Sequence, residues 1–151
     1  MSELKVRLRA DLTASMKARD DVTRDTVRMV LAAIGDEEFA GTEVRELTDD
    51  DVRKVLVREG KKRREAATAF DGAGREERAA RERAEGEVIA RYLPEQLSDD
   101  EIAALVHAAV SESGAASMAG MGQVMKLVQP RVAGRADGAK VAAAVRQALS
   151  G

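Results

Sequence analysis

The sequence predicts an all-α protein, with about four helices in an N-terminal domain, residues 1–94, and three short helices in a C-terminal domain, residues 95–151. Three observations carry this reading. Apolar residues recur at helical spacing along most of the chain. Aromatic residues make up only 2% and there is no Trp, so the interior has to be assembled from Leu, Val, Ile, Met and Ala, which pack between helices at close approach. Charged residues reach 34% with both signs interspersed, the pattern of solvated helix faces and not of a disordered tail of one sign.

Leu4, Leu8, Leu12 and Met16 fall at every fourth position and predict a first amphipathic helix capped by Ser2. Asp20 and Asp21 mark a break. Val22, Thr26, Met29, Val30, Ala33 and Ile34 form the stripe of a second helix that fades near "AGTE", 40–43, and the two make a hairpin. Thr48 with Asp51 at the N3 position resembles a capping box and opens a long third helix through Val52, Val55, Leu56, Ala66 and Phe70 to "DGAG", 71–74. A fourth helix is expected from about Arg75 to Leu93, where Pro94 ends it, and "YLPEQLS" is the joint between domains.

In the C-terminal domain Ser98 and Glu101 form a Ser-x-x-Glu capping box, and Ile102, Leu105, Val106, Ala109 and Val110 give one apolar face up to Gly114. Ser117 is expected to cap the next helix, with Met118, Met121, Met125 and Val128 on its inner side before Pro130. Asp137 caps the last, with Val141, Val145 and Leu149 pointing inward. Gly122, beside the methionines, reads as a place where a neighbouring backbone approaches closely.

Several function classes drop out. With no cysteine there are no disulfides or thiolate metal sites. The N-terminus mixes charges from the third residue onward and the run "VLAAI", 30–34, is far below spanning length, so the chain reads as cytoplasmic with no membrane partner. GxxxxGK[ST], HExxH and GxSxG are all missing, and the single histidine, His107, lies beside the apolar stripe without a partner to orient it. No catalytic residue, metal or cofactor is assigned.

The net charge of −2 argues against nucleic-acid binding over the whole surface, but its distribution is uneven. From residue 117 onward Lys126, Arg131, Arg135, Lys140 and Arg146 face Asp137 alone, a locally cationic region and the candidate RNA-binding set. Within it "GRADG", 134–138, joins Gly134, Arg135, Asp137 and Gly138 at a helix start, which suits an anion; a tight turn capped by Asp137 has the same residues, and local physics leaves both open. "EGKKRREAA", 59–67, spreads Lys61, Lys62, Arg63 and Arg64 around one helical turn. Lys61, Arg63 and Arg64 are thus a second basic patch for phosphate, or members of a buried or interdomain ion-pair network in which Arg63 meets Glu59.

"GQVMK", 122–126, with "GRADG" resembles the tail domain of the B subunit of the glutamine-dependent aspartyl/glutamyl-tRNA amidotransferase, GatB. Nearly end to end, "VRMVLAAI", "KKRREA", "YLPEQLS" and "MGQVMKLVQPRVAGRADG" resemble the stand-alone GatB/YqeY family, including the longer spacer "LVQPRVA". The resemblance implies a helical N-terminal part joined to a three-helix tail and a role near tRNA, with Lys126 and Arg135 at basic positions of the tail motif. It has no counterpart of the amidase centre or the ATP-binding cradle. The chain is therefore expected to be a non-catalytic adaptor of tRNA or of a tRNA-handling enzyme; the rival is an accessory or enzyme of glutamine-dependent amidotransfer, a carbon–nitrogen ligase, which no nucleophile–base pair supports. The oligomeric state is left open.

Overall fold

Helix α1, Glu3–Ala18, starts where the Ser2 hydroxyl oxygen accepts from the Lys5 N–H at 3.2 Å, which satisfies one of the orphan donors of the first turn. The computed structural model describes residues 2–150 and is all-α: seven α-helices and one 3-10 turn, with no strand among the described residues. The chain divides into two compact units, Met1–Leu93 and Pro94–Gly151.

The first unit contains α1, α2 (Asp21–Glu38), α3 (Asp49–Gly72) and α4 (Glu76–Ala90). Its core gathers Leu8, Val27, Val30, Ile34, Leu47, Val52, Val55, Leu56, Val88, Ile89 and Tyr92. The α1 stripe departs from its expected course, since Leu8 is fully buried, Leu4 and Leu12 are partly buried, and Met16 is exposed. A four-residue step overshoots a 3.6-residue turn by about 40°, so the row drifts around the helix. Ser15, seven residues beyond Leu8, takes the inward place. In α2 the same geometry puts Val27 inside and leaves Met29 at the rim.

Asp20 caps α2 by accepting from the Thr23 N–H, and Thr48 with Asp51 completes a reciprocal capping box at α3. Helix α4 stops at Ala90, short of Leu93. There the hydrogen bonds shift from i−4 to i−3, with Arg91, Tyr92 and Leu93 donating to Val88, Ile89 and Ala90, a tightening that lets the chain turn before Pro94.

The second unit contains α5 (Asp99–Ser113), a 3-10 turn (Met118–Gly120), α6 (Met121–Val132) and α7 (Gly138–Ser150). Ser98 and Glu101 form the expected box, and Gly114 ends α5 at φ 70, a left-handed conformation that favours glycine. Three expectations are corrected here. The Ser117 side chain makes no capping bond, because the chain first makes the 3-10 turn. Pro130 lies inside α6, which runs on to Val132 and closes at Ala133, φ 43, although the proline leaves the Lys126 carbonyl without its i+4 donor. The inner stripe is Val124, Val128 and Val132, with Met121 and Met125 at its margin and Met118 exposed.

Gly122 is the fourth correction. It is exposed, and a Cβ there would meet nothing within 4 Å. The close approach belongs to Gly120, where a Cβ would lie 2.4 Å from the Ala115 Cβ. Gly122 stands two residues before buried Val124, on the solvent side of the helix.

Candidate nucleic-acid interface

The basic tail folds against an acidic helix. Residues 94–116 carry five acids (Glu95, Asp99, Asp100, Glu101 and Glu112) and no Lys or Arg, so the second unit holds five basic residues against six acidic ones. Arg131 on α6 pairs with Glu112, and Lys140 on α7 reaches Asp99 at 3.2 Å. Both pairs are solvent-facing and hold less than about 1 kcal/mol each. Lys126 and Arg146 are exposed and make no ion pair or side-chain hydrogen bond among the described residues. Of the five expected cations, these two remain unengaged.

Arg135 is half-buried and structural in its contacts. Its N–H donates to Val132 at 2.8 Å and its carbonyl accepts from the Leu97 N–H at 2.7 Å, while Nε donates to the Glu95 carbonyl at 3.2 Å. Gln96 Nε2 donates to the carbonyl of Gly134 at 3.3 Å. The "PEQL" segment is thereby tied to the turn at 134–135, which requires φ 79 at Gly134. The Asp137 carboxylate accepts from the Ala139 N–H at 3.1 Å, one residue past Gly138, so the chain's own anion stands at the start of α7. "GRADG" is a capped turn that also fastens the joint segment.

The second basic cluster does not form one surface. Arg64 is exposed and Lys61 half-buried, whereas Arg63 is only 12% exposed and is held between α3 and α4. Its guanidinium lies 3.7 Å from Glu59, 3.8 Å from Glu82 and 3.1 Å from Glu85, with the Met29 sulfur at 3.0 Å. Arg81 adds a bond to Glu85 at 3.2 Å and one to Asp25 at 3.1 Å, and Lys62 one to Glu59 at 3.3 Å. This is an ion-pair network inside the first unit, and it surrounds the largely buried Arg63 guanidinium with carboxylates, which disfavours a phosphate there.

The sequence reading missed a cleft in the first unit of about 300 Å³, where α1, the start of α2 and the turn after α4 converge. Tyr92 donates its hydroxyl to Asp11 Oδ2, and the Arg7 guanidinium lies 4.6 Å from the centre of the Tyr92 ring. Burial, and then the bond to Asp11, push the Tyr92 hydroxyl well above the usual phenol range. Asp20 takes the Thr23 hydroxyl and N–H on its two oxygens, which hold its carboxyl below the usual range, with Arg91 contributing from nearby. Tyr92, the one tyrosine in a chain almost without aromatics, was the available signal, but its partner Asp11 is 81 positions away.

No single helix among the described residues is long and apolar enough to cross a membrane. No curated protein matches the chain. Residues 5–149, spanning both helical units, match the family described as Yqey-like protein, and by that match this chain belongs to the YqeY-like family.

Proposed function

We propose that this protein is a non-catalytic adaptor that contacts tRNA through the solvent faces of α6 and α7, with Lys126 and Arg146 as the contacting cations. The observation that carries the reading is that these two charges alone of the tail's five are unengaged by the fold. Arg131 and Lys140, in exposed pairs, join only by exchanging a carboxylate for a phosphate, and Arg135 is committed to the joint segment. The second unit has no Phe, Tyr or Trp on which unpaired bases could stack, so recognition there is of backbone and shape.

Two phosphate contacts make a weak, salt-sensitive interaction, with a slope of about 1.8 in the log of affinity against the log of salt for duplex-like contacts. The test is the affinity of the full chain for folded tRNA across a salt series, beside Lys126→Ala, Arg146→Ala and the double variant. Each single change is expected to flatten the slope by about 0.9 and the pair to abolish binding. Absence of tRNA binding by the parent at low salt, or an unchanged slope in the double variant, sinks the reading.

A further inference from the structure

The cleft between α1, α2 and the turn after α4 is lined by two charged residues, Arg91 and Asp11, that keep hydrogen-bonding capacity the fold does not use. The Arg91 guanidinium is exposed and makes no hydrogen bond or ion pair among the described residues, although it lines the cleft beside Asp20. Asp11 presents the complementary case: Oδ2 accepts from the Tyr92 hydroxyl and lies 3.9 Å from Arg7 Nε, while Oδ1 has no hydrogen-bond partner among the described residues. One group offers donors and the other an acceptor, and the two residues line the same cleft.

The walls around them are fixed. Tyr92 is 7% exposed, and its ring is covered by Arg7, which in turn donates to the Arg91 carbonyl at 3.3 Å. Ser15 and Thr23, two of the few buried polar residues, line the cleft with hydroxyls bonded to Leu12 and Asp20. The site is built on helices and a tied turn, and Asp11, Asp20 and Tyr92 are held in place there by their own hydrogen bonds before a ligand arrives.

Charge balance restricts the ligand. Arg7 and Arg91 oppose a simple cation, and Asp11 and Asp20 oppose a multiply charged anion such as a phosphate dianion. A molecule that brings one carboxylate and one ammonium satisfies both, with the carboxylate on Arg91 and the ammonium on Asp11 Oδ1. About 300 Å³ is the small end of ligand sites and fits a molecule of few heavy atoms. We propose that this cleft binds a free α-amino acid, through Arg91 and Asp11.

The test is a set of two-dimensional amide NMR titrations of the full chain with the common L-amino acids, with acetate and methylammonium as half-ligands. At least one amino acid is expected to give saturable shifts at residues 11–23 and 91–92, at a concentration about tenfold below that needed for either half-ligand. Arg91→Gln, whose parent side chain makes no hydrogen bond or ion pair among the described residues, is expected to keep the spectrum and weaken that binding about tenfold; Asp11→Asn tests the other end. Shifts with no amino acid, equal binding of acetate alone, or unchanged affinity in Arg91→Gln would each overturn the proposal.

Discussion

Arg135 and Glu95 are 40 positions apart in sequence, yet the guanidinium Nε of the first donates to the backbone carbonyl of the second at 3.2 Å. The bond is reinforced by Leu97, whose N–H donates to the Arg135 carbonyl at 2.7 Å. A side chain that both charge and the resemblance to the tail motif mark as a nucleic-acid contact thus also holds the segment that enters the C-terminal unit.

Replacing Arg135 with Ala removes a charged-donor bond to a carbonyl, and the expected loss is about 1.5 kcal/mol of stability. Amide exchange at Leu97 should accelerate while tRNA affinity stays unchanged. Thermal unfolding and hydrogen exchange measure the first two; a variant as stable as the parent, with slow exchange at Leu97, would show that the bond does not hold the joint segment.

The two neighbouring glycines should respond in opposite directions. Gly120→Ala forces a Cβ to 2.4 Å from the Ala115 Cβ, so the backbone has to shift and the variant should lose about 1–3 kcal/mol. Gly122→Ala meets open space inside a helix and should gain up to about 1 kcal/mol. Melting temperatures of the two full-length variants decide it.

Arg63 is the shared partner of Glu59, Glu82 and Glu85. Arg63→Met should cost about 3–5 kcal/mol, because it strands carboxylates in a largely buried layer. Adding Glu59→Gln and Glu85→Gln to that variant should restore part of the loss, since the charge left without a partner is what destabilises. A triple variant less stable than Arg63→Met contradicts the network.

Acid sensitivity should come from the helix starts. The Thr23 hydroxyl at Asp20, the Ser2 hydroxyl at Asp49 and the Thr48 N–H at Asp51 hold these carboxyls below their usual range. A lowered folded value means the stabilisation is complete above the unfolded carboxylate range, about 3.9, and is lost as pH falls through the folded values. Melting temperature should therefore fall on acidification from about pH 5 to about pH 2, and fall less in the Asp20→Asn, Asp51→Asn double variant, which keeps a capping oxygen but does not titrate. Parallel curves would refute this origin.

The sequence by itself determined the helices and most of their ends. Ser2 with Lys5, Thr48 with Asp51 and Ser98 with Glu101 meet across three positions, and a 3.6-residue period repeats within one helix, so both signals are local. They give the all-α fold and, through "YLPEQLS" and its proline, the place where α4 has to stop. Tertiary structure alone decided which charges remain available. Arg131 meets Glu112 across 19 positions, Arg63 meets Glu85 on a different helix, and Tyr92 meets Asp11 across 81, distances over which no spacing rule operates. The same holds for Gly120 and Gly122, which are alike to a sequence reading. What separates them is Ala115, brought against one and not the other by the turn that precedes α6. A free side chain is defined by what the rest of the chain brings beside it, and that depends on packing between elements, not on the order of residues within one.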